Sequence, residues 1–162
     1  MEISTLDILI RLAIAIALGG LVGVERTLAG KNAGMRTYAL VSMGSAFFII
    51  VSELVLGRFS NLINYNPLLI ASNIIIGIGF IGAGLVFHQS NNHTTGLTSA
   101  AGLWVAAGIG MAAGFGLYIP ALIATLLTLL VFTILWYVEK GLKKISYGDE
   151  KTEIENAEHF HD

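Results

Sequence analysis

The sequence predicts an all-α integral membrane protein with five transmembrane helices. Apolar residues make up 55% of the chain and charged residues 12%, and the mean hydropathy is +0.77. From Phe59 through Val138 there is no Asp, Glu, Lys or Arg. A water-facing surface would carry charges over so long a run, whereas a helix of about 20 apolar residues crosses a bilayer. This run alone is therefore long enough for three spans.

Five apolar windows follow one another along the chain, at about residues 5–24, 38–56, 67–87, 96–115 and 119–138. Asn66 is suited to cap the third helix, and Pro67 and Pro120 suit the first turns of the third and fifth. We therefore predict a transmembrane domain at residues 1–138. Residues 139–162 form a charged tail that we expect to be partly disordered.

Positive charge is concentrated in two regions, the connection between the first two helices and the tail. The lysines and arginines of these two regions are Arg26, Lys31, Arg36, Lys140, Lys143, Lys144 and Lys151. With five spans these regions share one side of the membrane, and only Arg58 falls in a connection on the other side. The positive-inside rule then predicts an amino terminus outside and a cytoplasmic carboxy terminus.

The stretch SNIIIGIGFIGAGLVF contains G-x-G-x-x-G, the pattern of a dinucleotide-binding turn. That turn needs an acidic residue about 20 positions later, but the next acid after Glu53 is Glu139. We expect instead that small residues let the third and fourth helices pack closely. The predicted packing residues are Gly77, Gly79, Gly82, Gly84, Gly102 and Ala106. An open alternative is that the glycines break the third helix and expose its carbonyls to an ion.

Charged residues within the first span are candidates for a functional network. Asp7 and Arg11 are one helical turn apart and are expected to pair. At about 100° per residue, Asp7, Arg11 and Glu25 share a stripe that should face protein. The residues leave open whether Glu25, Arg26 and Arg36 form an ion-pair network at the cytoplasmic mouth, together with the loop after the third helix. The alternative is that Arg26 and Arg36 are interfacial anchors, which is the role that we expect for Lys31.

Asn73 places an amide inside the third span. A hydrogen bond to a neighbouring helix is the favoured role, and ion binding is the alternative. Metal binding is left undecided, because the pairs His88/His93 and His159/His161 are weak metal motifs. The chain has no cysteine and no H-E-x-x-H motif, and we expect neither an enzyme, nor a cofactor, nor a nucleic-acid partner.

Four sequence blocks carry a family resemblance. RLAIAIALGGLVGVER, AGMRT, GIGFIGAG and GLTSAAGLW occur in this order over about residues 8–138. In these blocks the chain resembles the MgtC/SapB family of small bacterial inner-membrane proteins. Because Glu25 and Arg26 lie in the first block and Arg36 in the second, the resemblance favours the ion-pair network for these three residues. The resemblance implies a multi-pass protein of the bacterial inner membrane, linked to magnesium homeostasis, growth at low magnesium, virulence and survival inside host cells.

Two classes of function remain open from the sequence. Family members resemble regulators of other membrane complexes, the F-type ATP synthase among them, so the resemblance implies action by helix docking. The alternative is an oligomeric channel or transporter for a cation or a proton, although no internal repeat of the kind common in transporters is evident. The abundance of small residues in the fourth helix leads us to expect a homo-oligomer, most simply a two-fold dimer.

Overall fold

The computed structural model describes residues 3–59, 66, 68–87 and 96–158. Over these residues the chain is all-helical, with α1 at Thr5–Leu28, α2 at Met35–Phe59, α3 at Leu68–Phe87, α4 at Leu97–Gly114 and α5 at Tyr118–Glu158. Each of the five helices contains a segment long and apolar enough to cross a membrane. The predicted fold class is therefore confirmed.

The helix ends follow local capping chemistry. The Ser4 side chain accepts a hydrogen bond from the Asp7 amide at 3.1 Å and caps α1. Asn66 Oδ1 accepts one from the Leu68 amide at 3.0 Å, which is the cap predicted for the third helix. Three helices, α1, α2 and α5, extend beyond their apolar windows. A helix satisfies its own backbone, so it continues into the polar boundary of the membrane where charged side chains are tolerated.

The chain divides into two compact units, residues 1–128 and 129–162. In the second unit, the Trp136 and Tyr137 rings meet edge to face with their centroids 4.9 Å apart, and Lys140 Nζ lies 5.2 Å from the Trp136 centroid. Such an aromatic pair beside a lysine is typical of a membrane–water boundary. α5 continues past residue 138, where we expected the tail to begin, and ends at Glu158.

The core of the first unit is built where α1, α2 and α4 approach one another. Ser42 of α2 is fully buried between Gly19 of α1 and Gly110 of α4. A side chain at Gly110 would overlap the Ser42 carbonyl oxygen, and a Cβ at Gly114 would lie 2.8 Å from the Ala46 carbonyl oxygen. In lipid the hydrophobic effect does not drive helices together. Their association therefore depends on van der Waals contact of the kind that this close packing provides.

Buried positions of α1 run along Ala15, Gly19, Val22, Gly23 and Arg26. The stripe predicted through Asp7, Arg11 and Glu25 is half-buried and lies at the edge of this surface. Three of these five positions, Ala15, Gly19 and Gly23, carry small residues, which allow neighbouring helices to come close. A Cβ at Gly23, for example, would be 2.6 Å from Met35 Cα.

α3 lies at the periphery and is the least buried of the five spans. It is one continuous helix from Leu68 to Phe87, so it lacks the break that the ion-binding alternative required. A Cβ at Gly77, Gly79 or Gly84 would meet nothing within 4 Å, whereas one at Gly82 would contact Ala100 of α4 at 3.5 Å. Within the protomer, only Gly82 of the four predicted α3 glycines therefore makes a close helix contact among the described residues.

Candidate functional site

Arg11 lies at the centre of a polar cluster that joins three helices. Arg11 Nη2 lies 2.9 Å from Asp7 Oδ2 on α1, and Arg11 Nη1 lies 2.7 Å from Glu53 Oε2 on α2. Nη1 also donates a hydrogen bond of 2.7 Å to the Gly114 carbonyl of α4. The Arg11 side chain is 14% exposed, against 37% for Asp7 and 28% for Glu53. We call Asp7, Arg11, Glu53 and the Gly114 carbonyl the Arg11 cluster. It links the start of α1, the end of α2 and the end of α4.

The Gly114 carbonyl belongs to the last turn of α4, whose carbonyls have no partner within the helix. A cation at this end of a helix satisfies the carbonyl and opposes the negative end of the helix dipole. The turn that follows places Gly116 at φ +74°, where a Cβ would be 3.6 Å from the guanidinium carbon of Arg11. Arg11 thus holds the α4–α5 turn against α1, while its buried Nε has no hydrogen-bond partner among the residues that the structure describes.

The structure forms the Asp7–Arg11 pair that the spacing predicts, and it adds Glu53, which the sequence analysis did not assign to the site. The sequence shows that Glu53 lies near the far end of the second apolar window, and the helix bounds of the structure give its depth. Arg11 lies six residues after the start of α1 and Glu53 six residues before the end of α2. In antiparallel neighbouring helices these positions have the same depth, about 9 Å from the helix ends. Two opposite charges at the same depth inside apolar spans are expected to form an ion pair.

A second cluster lies near the other end of α1. Glu25 accepts two hydrogen bonds from Arg26, one from Nε and one of 2.8 Å from Nη2, in a forked arrangement. The Arg26 side chain is only 4% exposed. Tyr38 of α2 is fully buried and donates a hydrogen bond of 3.1 Å to the Ser99 carbonyl in the first turn of α4. We call Glu25, Arg26, Tyr38 and Ser99 the Arg26 cluster.

The connection between α1 and α2 is fixed beside this cluster. Thr27 Oγ1 donates to the Gly23 carbonyl at 3.0 Å and accepts from the Met35 amide at 2.9 Å. This hydroxyl therefore ties the end of α1 to the start of α2. Sequence reasoning missed Thr27 and Tyr38, because polar residues near span ends carry no periodic signal that separates buried ones from exposed ones.

Arg36 does not join the predicted network among the described residues. It lies exposed in the first turn of α2, and in the part of the chain that the structure describes it has no ion pair. Lys31 is also exposed, as expected of an interfacial anchor. The loop after α3, which we expected to complete the network, lies outside the described residues, as do His88, His93, His159 and His161. Over the described ranges, no group of three or more metal-ligating side chains occurs.

Asn73 is exposed on α3 and lines a groove between α2 and α3. The groove has a volume of about 560 Å³ and is open to the outside of the protomer. Its α2 wall includes Gly44 and Phe48, and its α3 wall includes Gly77. Apart from Asn73 and Ser45, its lining residues are apolar or glycine. Ser45 already donates to the Val41 carbonyl at 2.8 Å, so its hydroxyl is satisfied within α2.

Comparison with known proteins places these features in a family. The MgtC family profile matches residues 12–140. The chain is 41% identical over 132 residues to “Putative magnesium transporter YhiD” of Escherichia coli (strain K12), covering 80% of this chain and 61% of that protein. It is 44% identical over 90 residues to protein MgtC of Brucella abortus (strain 2308), covering 56% of this chain and 35% of that protein.

A third relative is protein SapB of Bacillus subtilis (strain 168), 39% identical over 97 residues, with 59% of this chain and 42% of that protein covered. The chain thus spans less than two thirds of the length of these curated relatives. No solved structure is significantly similar to it. The matched region extends from Leu12 to Lys140 and includes every membrane span in whole or in large part. The chain is therefore a multi-pass bacterial membrane protein and belongs to the MgtC family.

Proposed function

We propose that the chain is a non-enzymatic regulatory protein of the bacterial inner membrane that supports growth when magnesium is scarce. It acts by docking its membrane helices on another membrane complex, for which the F-type ATP synthase is one candidate, and it works as a homodimer. The magnesium link rests on the family and on the name of the relative YhiD. Survival of the bacterium inside host cells is part of the same proposal.

The observation that carries this proposal is the closed packing of the protomer interior. Ser42 is held between Gly19 and Gly110 with no room for an additional methyl group on either glycine. The charged side chains that approach the core of α1, α2 and α4 are engaged within the two clusters, Arg11 with Asp7 and Glu53, and Arg26 with Glu25. Packing of this kind opposes a polar path between α1, α2 and α4, whereas the face of α3 is open to contact.

Transport is the second candidate, because YhiD carries the word transporter in its name. For this chain a path would have to form between protomers. The exposed Asn73 amide is the polar group on α3 that such a path could use.

Reconstitution separates the two functions. The purified protein is placed in phospholipid vesicles loaded with a magnesium-sensitive or a pH-sensitive dye, and it is also expressed in a bacterium that lacks its own family member. We expect growth in magnesium-limited medium to be restored while ion flux stays at the level of empty vesicles. An ionophore verifies that the dyes respond. Flux that depends on the protein would contradict the regulatory proposal and favour transport.

A further inference from the structure

The Asn73 amide is an unpaired polar group on a membrane-facing surface. In the part of the chain that the structure describes, it has no hydrogen-bond partner, and it lies on α3 five residues after the helix begins. At about 1.5 Å per residue this is about 7.5 Å from the end of the helix, below the polar boundary. An amide without a partner in hydrocarbon is costly. Something other than lipid chains should therefore contact it.

The surroundings of Asn73 have the shape of a helix-docking groove. Gly44 on the α2 wall and Gly77 on the α3 wall both face open space, because a Cβ at either would meet nothing within 4 Å. Beyond the groove the same side of α3 continues with Phe80, which is 83% exposed, and with Gly84. Small residues on both walls leave a volume of about 560 Å³, enough to receive several side chains of a neighbouring helix.

We infer that the α2–α3 groove is the self-association surface of this protein, and that α3 of a second copy occupies it with the two Asn73 amides hydrogen-bonded to each other. The inference rests on the dimer in the proposed function and specifies its interface. An amide both donates and accepts, so two identical amides satisfy each other reciprocally. Around a two-fold axis along the membrane normal, both copies present Asn73 at the same depth.

Symmetry is what favours a second copy over the other occupants of the groove. A lipid acyl chain fills the apolar lining but leaves the amide unpaired. A helix of another protein must happen to carry a polar group at the depth of Asn73. A second copy of this chain supplies that group in every case.

The test measures dimerisation in phospholipid vesicles by energy transfer between copies labelled at one introduced cysteine, Lys144→Cys, since the chain has none of its own. Asn73→Leu should weaken dimerisation about tenfold, because two interhelical hydrogen bonds are lost. Asn73→Gln should retain most of it. Ser72→Leu is the matched control, because Ser72 is also exposed but its hydroxyl already donates to the Leu69 carbonyl at 2.8 Å.

A second pair of variants tests the groove independently of the amide. Gly44→Leu places a side chain in the groove from its α2 wall, where the added Cβ meets no atom of the protomer within 4 Å, so it should abolish dimerisation while the protomer stays folded. Gly57→Leu is its control, since Gly57 lies on the same helix, also faces open space, and does not line the groove.

The inference is overturned if Asn73→Leu and Gly44→Leu dimerise as strongly as Ser72→Leu and Gly57→Leu, because the dimer then uses another face. It is also overturned if the purified protein is monomeric, or if Asn73 can be cross-linked only to a different protein in native membranes. A dimer through another face leaves the proposed regulatory function intact. Conversely, protein-dependent ion flux would remove the regulatory function and leave this interface standing.

Discussion

Arg11 and Arg26 present the same physical problem near the two ends of α1. Each is a guanidinium largely removed from water, and each is balanced by nearby carboxylates, Asp7 and Glu53 for Arg11 and Glu25 for Arg26. A buried charge that keeps its partners is tolerated, whereas one that loses a partner is strongly unfavourable. Arg11 is predicted to join a polar network because charges inside apolar spans are rare, and Arg26 because its sequence block resembles the family. The sequence does not decide between a network and an exposed position for Arg36, because a residue at a helix start is compatible with both.

Removing Glu53 should destabilise the protein more than removing Asp7. Glu53 connects α2 to Arg11 and is the less exposed carboxylate, so we expect Glu53→Leu to lower the free energy of unfolding by about 1–3 kcal/mol. Asp7 is nearer the end of its helix and more exposed, and Asp7→Leu should cost less than about 1 kcal/mol. Reversible unfolding in mixed detergent micelles measures both. An equal effect of the two variants would show that the link between α1 and α2 is not what Glu53 contributes.

Glu25 and Arg36 should differ in the same assay, although the sequence groups them. Glu25→Ala removes a forked partner of a side chain that is 4% exposed, and should destabilise the fold by about 3 kcal/mol. Arg36 is exposed, so Arg36→Ala should change stability by less than about 0.5 kcal/mol. If Arg36→Ala folds normally but no longer supports growth at low magnesium, Arg36 is a partner contact. If it unfolds, it belongs to the buried network that we first predicted.

At the scale of the helices, the number and order of the spans follow from hydropathy, but the packing surfaces do not. The face of a membrane helix that meets lipid and the face that meets protein are both apolar, so periodicity does not separate them. This is why Gly79, in a glycine-rich segment, faces open space, while Gly19 and Gly110 form the tightest contacts around Ser42. Small residues permit close approach, and only the full set of helix partners decides where it occurs.

Two glycines of α4 give a matched test of this packing. Gly110→Ala places a methyl group against the Ser42 backbone, so α2 and α4 must separate, and we expect a loss of about 1–3 kcal/mol in the free energy of unfolding. Gly108→Ala meets nothing within 4 Å and should be neutral or stabilising by up to about 1 kcal/mol, since alanine favours helix over glycine. Gly79→Ala and Gly79→Leu should both be mild for the protomer. Similar damage from Gly108→Ala and Gly110→Ala would argue against the close α2–α4 contact.

For the whole molecule, polar contacts near the two opposite ends of the membrane-spanning unit tie the same three helices. The Arg11 cluster joins α1, α2 and α4 where α1 begins, and near the end of α1 Thr27 joins α1 to α2 while the Tyr38 hydroxyl joins α2 to α4. Close packing at Ser42 lies between them along α2. α3 is outside this three-helix core, which leaves its surface available for contacts with other chains in the membrane.

Which end of this core faces the cytoplasm is a prediction from charge, and accessibility of single cysteines measures it. The chain has no cysteine, so Asn61→Cys, Ser90→Cys and Lys144→Cys each introduce a unique label. Positions 61 and 90 lie outside the described residues, in the segments between α2 and α3 and between α3 and α4. If every helix spans the membrane, these two segments lie on opposite sides, and position 144 shares the side of position 90. The excess of Lys and Arg between α1 and α2 and after α5 assigns that shared side to the cytoplasm.

A membrane-impermeant maleimide applied to intact cells should therefore label Asn61→Cys alone, and permeabilisation should expose the other two. Labelling of positions 61 and 144 from the same face would contradict the five-span topology, whereas labelling of 90 and 144 alone in intact cells would keep the five spans and reverse their orientation.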